Sequence, residues 1–273
     1  MSKEKLNFKE QFEKKLEEHP LTYKIQGVIA DDRRIYPLGT DTKVLGSIFE
    51  LVTRPLVYEI AEEYGLQVRE PRAQNIYPDF TLMVDEDDAK KIAVDVKTTY
   101  REGNKKVSFT LGGYNSYIRE KTKAKNIEFP YDQYVEDWVV GFIYKRKAPE
   151  EIPSHIYDLK DLSKIPIPFE EVQVFVQEKW RIAGQSAGSG NTTNIGSISG
   201  TVEDFRAGRG SFSSEDEFLD YWRNYEKTAA QRNQTTLIWK AIKFGKKSKK
   251  LQGKSSVFFQ NSFFSNQSKL IRL

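Results

Sequence analysis

Apolar and polar positions recur along this chain with two periods, and those periods mark out most of its elements. Phe8, Phe12 and Leu16 return every four residues within 3–18, with Lys9/Glu13 and Glu10/Lys14 as i,i+4 pairs, which predicts an amphipathic helix. Tyr23 to Ile29 alternates like a strand, Asp31-Asp32 turns it, and Arg34 to Tyr36 returns as the second arm of a hairpin. Asp41 is a good N-cap for a helix carrying Val44, Leu45, Ile48 and Val52; Pro55 is read as opening a second helical segment that stops at Gly65.

Phe80 to Val84 and Ile92 to Val96 are short apolar runs around a polar, turn-forming stretch, Asp85 to Lys91, and so predict a β-hairpin. Further strands are expected at Val107–Leu111, at Asp137–Tyr144 and at Val172–Val176. The second of these is a continuous apolar run suited to burial on both faces. Residues 147–169 form a connector with four prolines, and residues 184–197 are small and polar enough to read as a loop. Glu215 to Ala230 carries Phe218, Tyr221, Trp222 and Tyr225 at helical spacing. The expectation is an α/β fold, a mixed sheet of five or six strands flanked by helices, with a basic tail at 246–273.

The central hairpin holds the feature that folding does not explain. Ile92, Val94 and Val96 share one face of their strand and point to a core, which leaves Asp95 and Lys97 together on the other. A fold of the hairpin about Asp88 places Asp79 opposite Lys97, with Asp95 one pleat away. Any register displaced by an even step keeps all three on one face. Two converging carboxylates make a hard-oxygen site for Mg²⁺, with Mn²⁺ as a substitute, and such an ion can neutralise charge on a phosphoryl oxygen. Lys97 beside two anions is suited to electrostatic stabilisation rather than to acting as a base. The plainer alternative is an exposed hairpin with solvated charges, since Asp-x-Lys is common. Glu50, on the predicted helix, is a candidate third carboxylate for the metal, although a glutamate there is usually just solvated.

Composition narrows the chemistry. The 273 residues include no cysteine and two histidines, His19 and His155, which excludes disulfides, thiolate zinc and a cysteine nucleophile and argues against imidazole clusters. The net charge of +4 is unevenly placed: nine of the 43 lysines and arginines fall in 240–273, which has no acid, leaving 34 basic against 39 acidic residues before it. Affinity for a polyanion must therefore come from a local groove and from the tail. No apolar run is long enough to span a bilayer and the first residues lack a signal-peptide core, so a soluble, cytoplasmic protein with no membrane partner is expected.

Whole phrases of the chain, IYPLGTDTKVL at 35–45, IFEL at 48–51, QNIYPDFTL at 74–82, KKIAVDVKTTY at 90–100, FTLGGY at 109–114, AGSGNTTNIGSI at 187–198 and SEDEFLDYWRNYE at 214–226, resemble the EcoRV family of type II restriction endonucleases. The resemblance runs from about Tyr23 to Trp239. It implies a restriction-endonuclease-like domain over 1–245, forming a U-shaped homodimer around double-stranded DNA, with dimerisation elements near 20–36 and 147–160. Asp79, Asp95 and Lys97 match the family's PD…DxK catalytic residues, and Glu50 matches an auxiliary acid near the metal. Gly188, Ser189, Gly190, Asn191, Thr192, Thr193 and Asn194 match a recognition loop that enters the major groove. Gln74 and Asn75 match part of a loop that reaches the minor groove. Lys43, Ser116, Lys123, Thr228 and Arg232 match phosphate-contacting positions. The implied activity is Mg²⁺-dependent cleavage at the centre of GATATC, giving blunt ends with 5′-phosphates, with a cognate DNA methyltransferase as genetic companion. A PD…DxK nuclease with another task, such as a junction resolvase or repair nuclease, and a non-catalytic DNA-binding module are the alternatives.

Overall fold

The computed structural model describes residues 6–20, 23–152, 154–188 and 193–225. Helix α1 (Phe8–Glu18) is capped by the Asn7 side chain, which accepts the Glu10 N–H, and it buries Phe8 and Phe12 as their spacing predicts. Strands β1 (Gly27–Ile29) and β2 (Arg34–Pro37) form the expected hairpin. Helix α2 (Thr42–Tyr64) starts where Asp41 accepts the Lys43 and Val44 N–H groups at 2.9 and 3.2 Å, and it stops at Gly65. Pro55 does not open a second segment: it lies inside one unbroken helix. The carbonyl left without a donor is that of Leu51, four residues back. Leu51 is 59% exposed, so water can take the place of the missing N–H.

Beyond α2 come β3 (Gln67–Arg69), β4 (Phe80–Met83), β5 (Lys91–Tyr100) and β6 (Thr110–Gly113). Strands β7 (Tyr134–Arg146), β8 (Tyr157–Asp158) and β9 (Phe169–Glu178) follow. A short helix α3 (Lys179–Ile182) leads into β10 (Ala183–Ala187) and β11 (Asn194–Ser197), with α4 (Val202–Arg206) and α5 (Glu215–Arg223) after them.

The main sheet has the order β3-β4-β5-β7-β9, with β5 and β7 parallel and the other pairs antiparallel, so it is mixed and five-stranded as expected. Ile92, Val94 and Val96 of β5, with Val140 and Phe142 of β7, form the core beneath α1 and α2. Phe49 of α2 stacks on Phe142 at 4.7 Å and docks this turn of the helix on the sheet. The opposite face of β7 is also buried, with Val139 and Ile143 almost without exposure, as a continuous apolar run predicts.

Two expectations are corrected by the smaller sheets. The strand read as Val107–Leu111 is displaced to Thr110–Gly113, and Val107 makes only an isolated bridge with Gly200. Gly112 and Gly113, which by residue type suit a turn, are strand residues. Gly112 has φ of +89°, and a Cβ there would lie 2.2 Å from the Tyr117 hydroxyl, so only glycine fits. The small, polar stretch 184–197 is not a plain loop either: its flanks are β10 and β11, which pair with each other and, through β11, with β6. A Cβ on Gly196 would sit 2.6 Å from the Ser186 carbonyl oxygen, so the poverty of side chains is what lets these strands approach.

In the third sheet, β1, β2 and β8 lie side by side. It unites the segments 20–36 and 147–160 and leaves Val28, Ile29 and Tyr36 exposed. No helix among the described residues is long and apolar enough to cross a membrane. Ser189, Gly190, Asn191, Thr192, Thr228, Arg232 and the tail at 246–273 lie outside the described residues, as does the last part of the helix expected over Glu215–Ala230.

Candidate active site

β4 and β5 pair with Phe80 opposite Val94, Thr81 opposite Ala93 and Leu82 opposite Ile92. One further step sets Asp79 opposite Asp95, where Lys97 was expected. The displacement is a single pleat, an even step, so Asp79, Asp95 and Lys97 still share a face. Turn chemistry accounts for it. Asp88 accepts the Val84 and Lys90 N–H groups at 3.0 and 2.8 Å, which tightens the turn and moves the midpoint of the pairing to Asp87.

At the open end of the hairpin Asp79 Oδ2 accepts the Val96 N–H at 2.6 Å. Asp95 is only 2% exposed, and its Oδ2 touches Lys97 Nζ without receiving an aligned hydrogen bond. That contact is an ion pair, and the oxygen retains capacity for another ligand. Lys97 Nζ also donates to the Val96 carbonyl at 3.3 Å. Burial, then the charge of Asp95, pushes Asp79 up to about 7, with Glu50 adding and Lys97 opposing. Burial alone would lower Lys97, but Asp95, Asp79 and Glu50 outweigh it and the ammonium is held above its ordinary value. Glu50, half-buried on α2, is raised by burial first, with Lys97 opposing and Asp95 adding to the rise.

Asp79 stands in the wall between two clefts. One, of about 350 Å³, is lined by Asp79, Asp95, Lys97, Gln74, Asn75, Ser116 and Asn194. The other, of about 420 Å³, contains Glu50, Asp79, Gln74, Arg54 and Arg72. Among the described residues no three acidic or imidazole side chains assemble as a metal-ligand set. Glu50 lines the neighbouring cleft together with Asp79, and its carboxylate interacts electrostatically with Asp79, Asp95 and Lys97.

The remaining expected positions divide. Gln74, Asn75, Ser116 and Asn194 do reach the cleft that holds Asp79, Asp95 and Lys97. Gly188 and Thr193 stand where the chain leaves β10 and enters β11, where Gly188 N–H donates to the Asn194 carbonyl at 2.9 Å and Thr193 O accepts the Tyr114 N–H at 3.2 Å. Lys43 is exposed in the first turn of α2, and Lys123 is exposed and paired with Glu120 at 3.1 Å; neither lines the cleft within one chain. Tyr77 and Tyr117, which stack at 4.9 Å in the cleft wall, were not singled out from the sequence. The adjacency of Tyr77 to the Pro-Asp phrase was the available signal.

The sequence profile described as "Restriction endonuclease EcoRV" matches residues 19–246. A curated relative, the "Type II restriction enzyme EcoRV" of Escherichia coli, is 54% identical over 212 residues, covering 77% of this chain and 86% of that one. Among solved structures, the "NlaIV restriction endonuclease" is similar over 93% of each chain at 16% identity, with a TM-score of 0.45.

Proposed function

The chain belongs to the EcoRV restriction endonuclease family and is a type II restriction enzyme; from that premise we propose that it acts as a Mg²⁺-dependent homodimer cutting double-stranded DNA at the centre of GATATC to leave blunt ends with 5′-phosphates. The carrying observation is the convergence of Asp79, Asp95 and Lys97 on one face at the open end of a hairpin, with a buried Asp95 oxygen that the protein leaves without an aligned donor.

That donor set fits a hard divalent cation, for which one or two carboxylates, waters and phosphate oxygens are the usual ligands. Asp79 and Asp95 would hold the ion and Glu50 would add negative potential from the adjoining cleft. When bound, Mg²⁺ supplies charge neutralisation on the phosphate and acidifies water, and Mn²⁺ can substitute. Lys97, kept protonated by its acidic neighbours, serves as a fixed positive charge for the phosphate and the attacking water rather than as a base.

Recognition is assigned to residues Gly188 to Asn194, the stretch of chain that joins β10 to β11, reading the major groove by bidentate amide contacts and by a threonine methyl against thymine. Gln74 and Asn75 approach the minor groove from the cleft, with Lys43, Ser116, Lys123, Thr228 and Arg232 on phosphates. Two-fold symmetry of the protein requires a palindromic site. The exposed apolar side chains of the β1-β2-β8 sheet supply a surface for pairing two copies. The flexible central TA step of GATATC allows its middle bases to be selected by bending.

Incubation of unmethylated plasmid with the protein and Mg²⁺, followed by sequencing of the termini, tests the whole reading. Discrete fragments whose every end carries half of GATATC are expected, with no cutting in EDTA. Ends without a shared hexamer, or cutting at branched structures alone, would overturn it.

A further inference from the structure

Lys179, the first residue of α3, and Asp137 of β7 form an ion pair at 2.7 Å with side chains only 1% and 5% exposed. Stripping both charges of water is costly, and an apolar pair would serve the fold equally well. The hydroxyl of Tyr77 lies between them: it donates to Asp137 Oδ1 and accepts from Lys179 Nζ. Lys179 Nζ also sits 3.8 Å from the centre of the Tyr77 ring, and Tyr131 donates to Asp137 Oδ2 at 2.9 Å. The main chain of Tyr77 is fixed as well, with its N–H on the Asn126 carbonyl at 3.1 Å and its carbonyl accepting the Glu128 N–H at 2.7 Å. Only Pro78 separates this clamped residue from Asp79, and a proline has little freedom to absorb movement.

We propose that Asp137 and Lys179 are positioning residues, which grip the Tyr77 hydroxyl and so set where Asp79 presents its carboxylate to Asp95. The inference rests on the reading of Asp79 and Asp95 as the cation-holding pair. It assigns a function to a charge pair that is not part of the cleft lining.

The test is titration of Mn²⁺ into the full chain for wild type, Tyr77→Phe, Asp137→Asn and the double variant, on samples shown folded at the working temperature by circular dichroism. Tyr77→Phe keeps the ring and its stack on Tyr117 and removes only the gripped hydroxyl. Each single variant should bind Mn²⁺ about 10–100-fold more weakly, the usual loss when the groups behind metal ligands are removed. The double variant should be no worse than the weaker single, because both changes release the same grip. Wild-type affinity in folded Tyr77→Phe, or losses that simply add, would overturn the proposal. DNA cleavage followed on the same samples separates the two readings. A wild type that binds Mn²⁺ and cuts no duplex overturns the nuclease reading while the grip stands or falls on the titration. A wild type that binds no Mn²⁺ overturns both.

Discussion

The two ends of the β4–β5 hairpin use the same residue types to opposite effect. At the turn end, Asp85 accepts the Asp87 N–H at 2.9 Å, and Asp88 accepts the N–H groups of Val84 and Lys90. Lys91, fully buried, donates to the Glu86 carbonyl at 2.9 Å and to Gln133 Oε1 at 3.0 Å, and lies 4.4 Å from the centre of the Phe129 ring. The hydrogen bond from Val84, then that from Lys90, holds the Asp88 carboxyl below its usual range. At the open end, burial and Asp95 drive Asp79 the other way, to about 7. A protein that completes the hydrogen bonding of its charges is using them to fold. One that crowds two carboxylates around a single ammonium has kept them for something it binds.

The largest effect expected from breaking this contrast is at the open end. Asp95→Ala should lower cleavage by about 10²–10³-fold or more, the size of losing one element that stabilises transition-state charge. It should not lower the unfolding midpoint, because its partner Lys97 is left 24% exposed and can be hydrated. Single-turnover cleavage and thermal unfolding measured side by side decide the matter; near wild-type cutting would remove the site assignment.

The legibility of the two ends differs for a physical reason. Asp79, Asp95 and Lys97 were readable because a strand's period of two puts them on one face whatever the even register. The register itself was not, because it depends on how Asp88 bridges the turn, which no alternation pattern encodes. Helix α2 was readable up to Pro55, where tertiary packing overrode a local breaking signal. The β10–β11 flanks were hidden since their glycines, which permit close pairing, look like linker residues in a sequence. The Asp137–Lys179 pair was beyond reach: its members lie 42 positions apart, and only the folded sheet brings them under Tyr77.

A middle-sized effect belongs to the turn end. Lys91→Met keeps much of the side-chain volume but takes the donor from the Glu86 carbonyl and from Gln133. A loss of about 1–3 kcal/mol of stability is expected, and for a chain of this size each kcal/mol is about 2–4 °C of unfolding midpoint. Cleavage per folded molecule should stay at the wild-type level. A catalytic defect in folded Lys91→Met protein would dissolve the division between the two ends.

The smallest effect is the one that probes the contrast most finely, through its pH dependence. Asp79 in the folded protein takes up its proton at about 7, whereas an unfolded aspartate does so at about 3.9. Between those values the native state binds more protons than the unfolded one, so this group's contribution to stability is fully present below about 4 and is lost as pH rises through about 7. Asp79→Asn, which cannot ionise and can still accept the Val96 N–H through its amide oxygen, should therefore raise stability by about 0.5–2 kcal/mol at pH 8. The gain should shrink steadily towards pH 4. Mg²⁺ should do for the wild type at pH 8 what the substitution does, stabilising it by favouring the ionised pair, and should do much less for Asp79→Asn. Denaturant unfolding of both proteins at pH 5 and pH 8, with and without Mg²⁺, measures all of this. An Asp79→Asn gain that is the same at both pH values would mean that the crowding of carboxylates at the open end has no energetic consequence, and the two ends of the hairpin would then differ only in position.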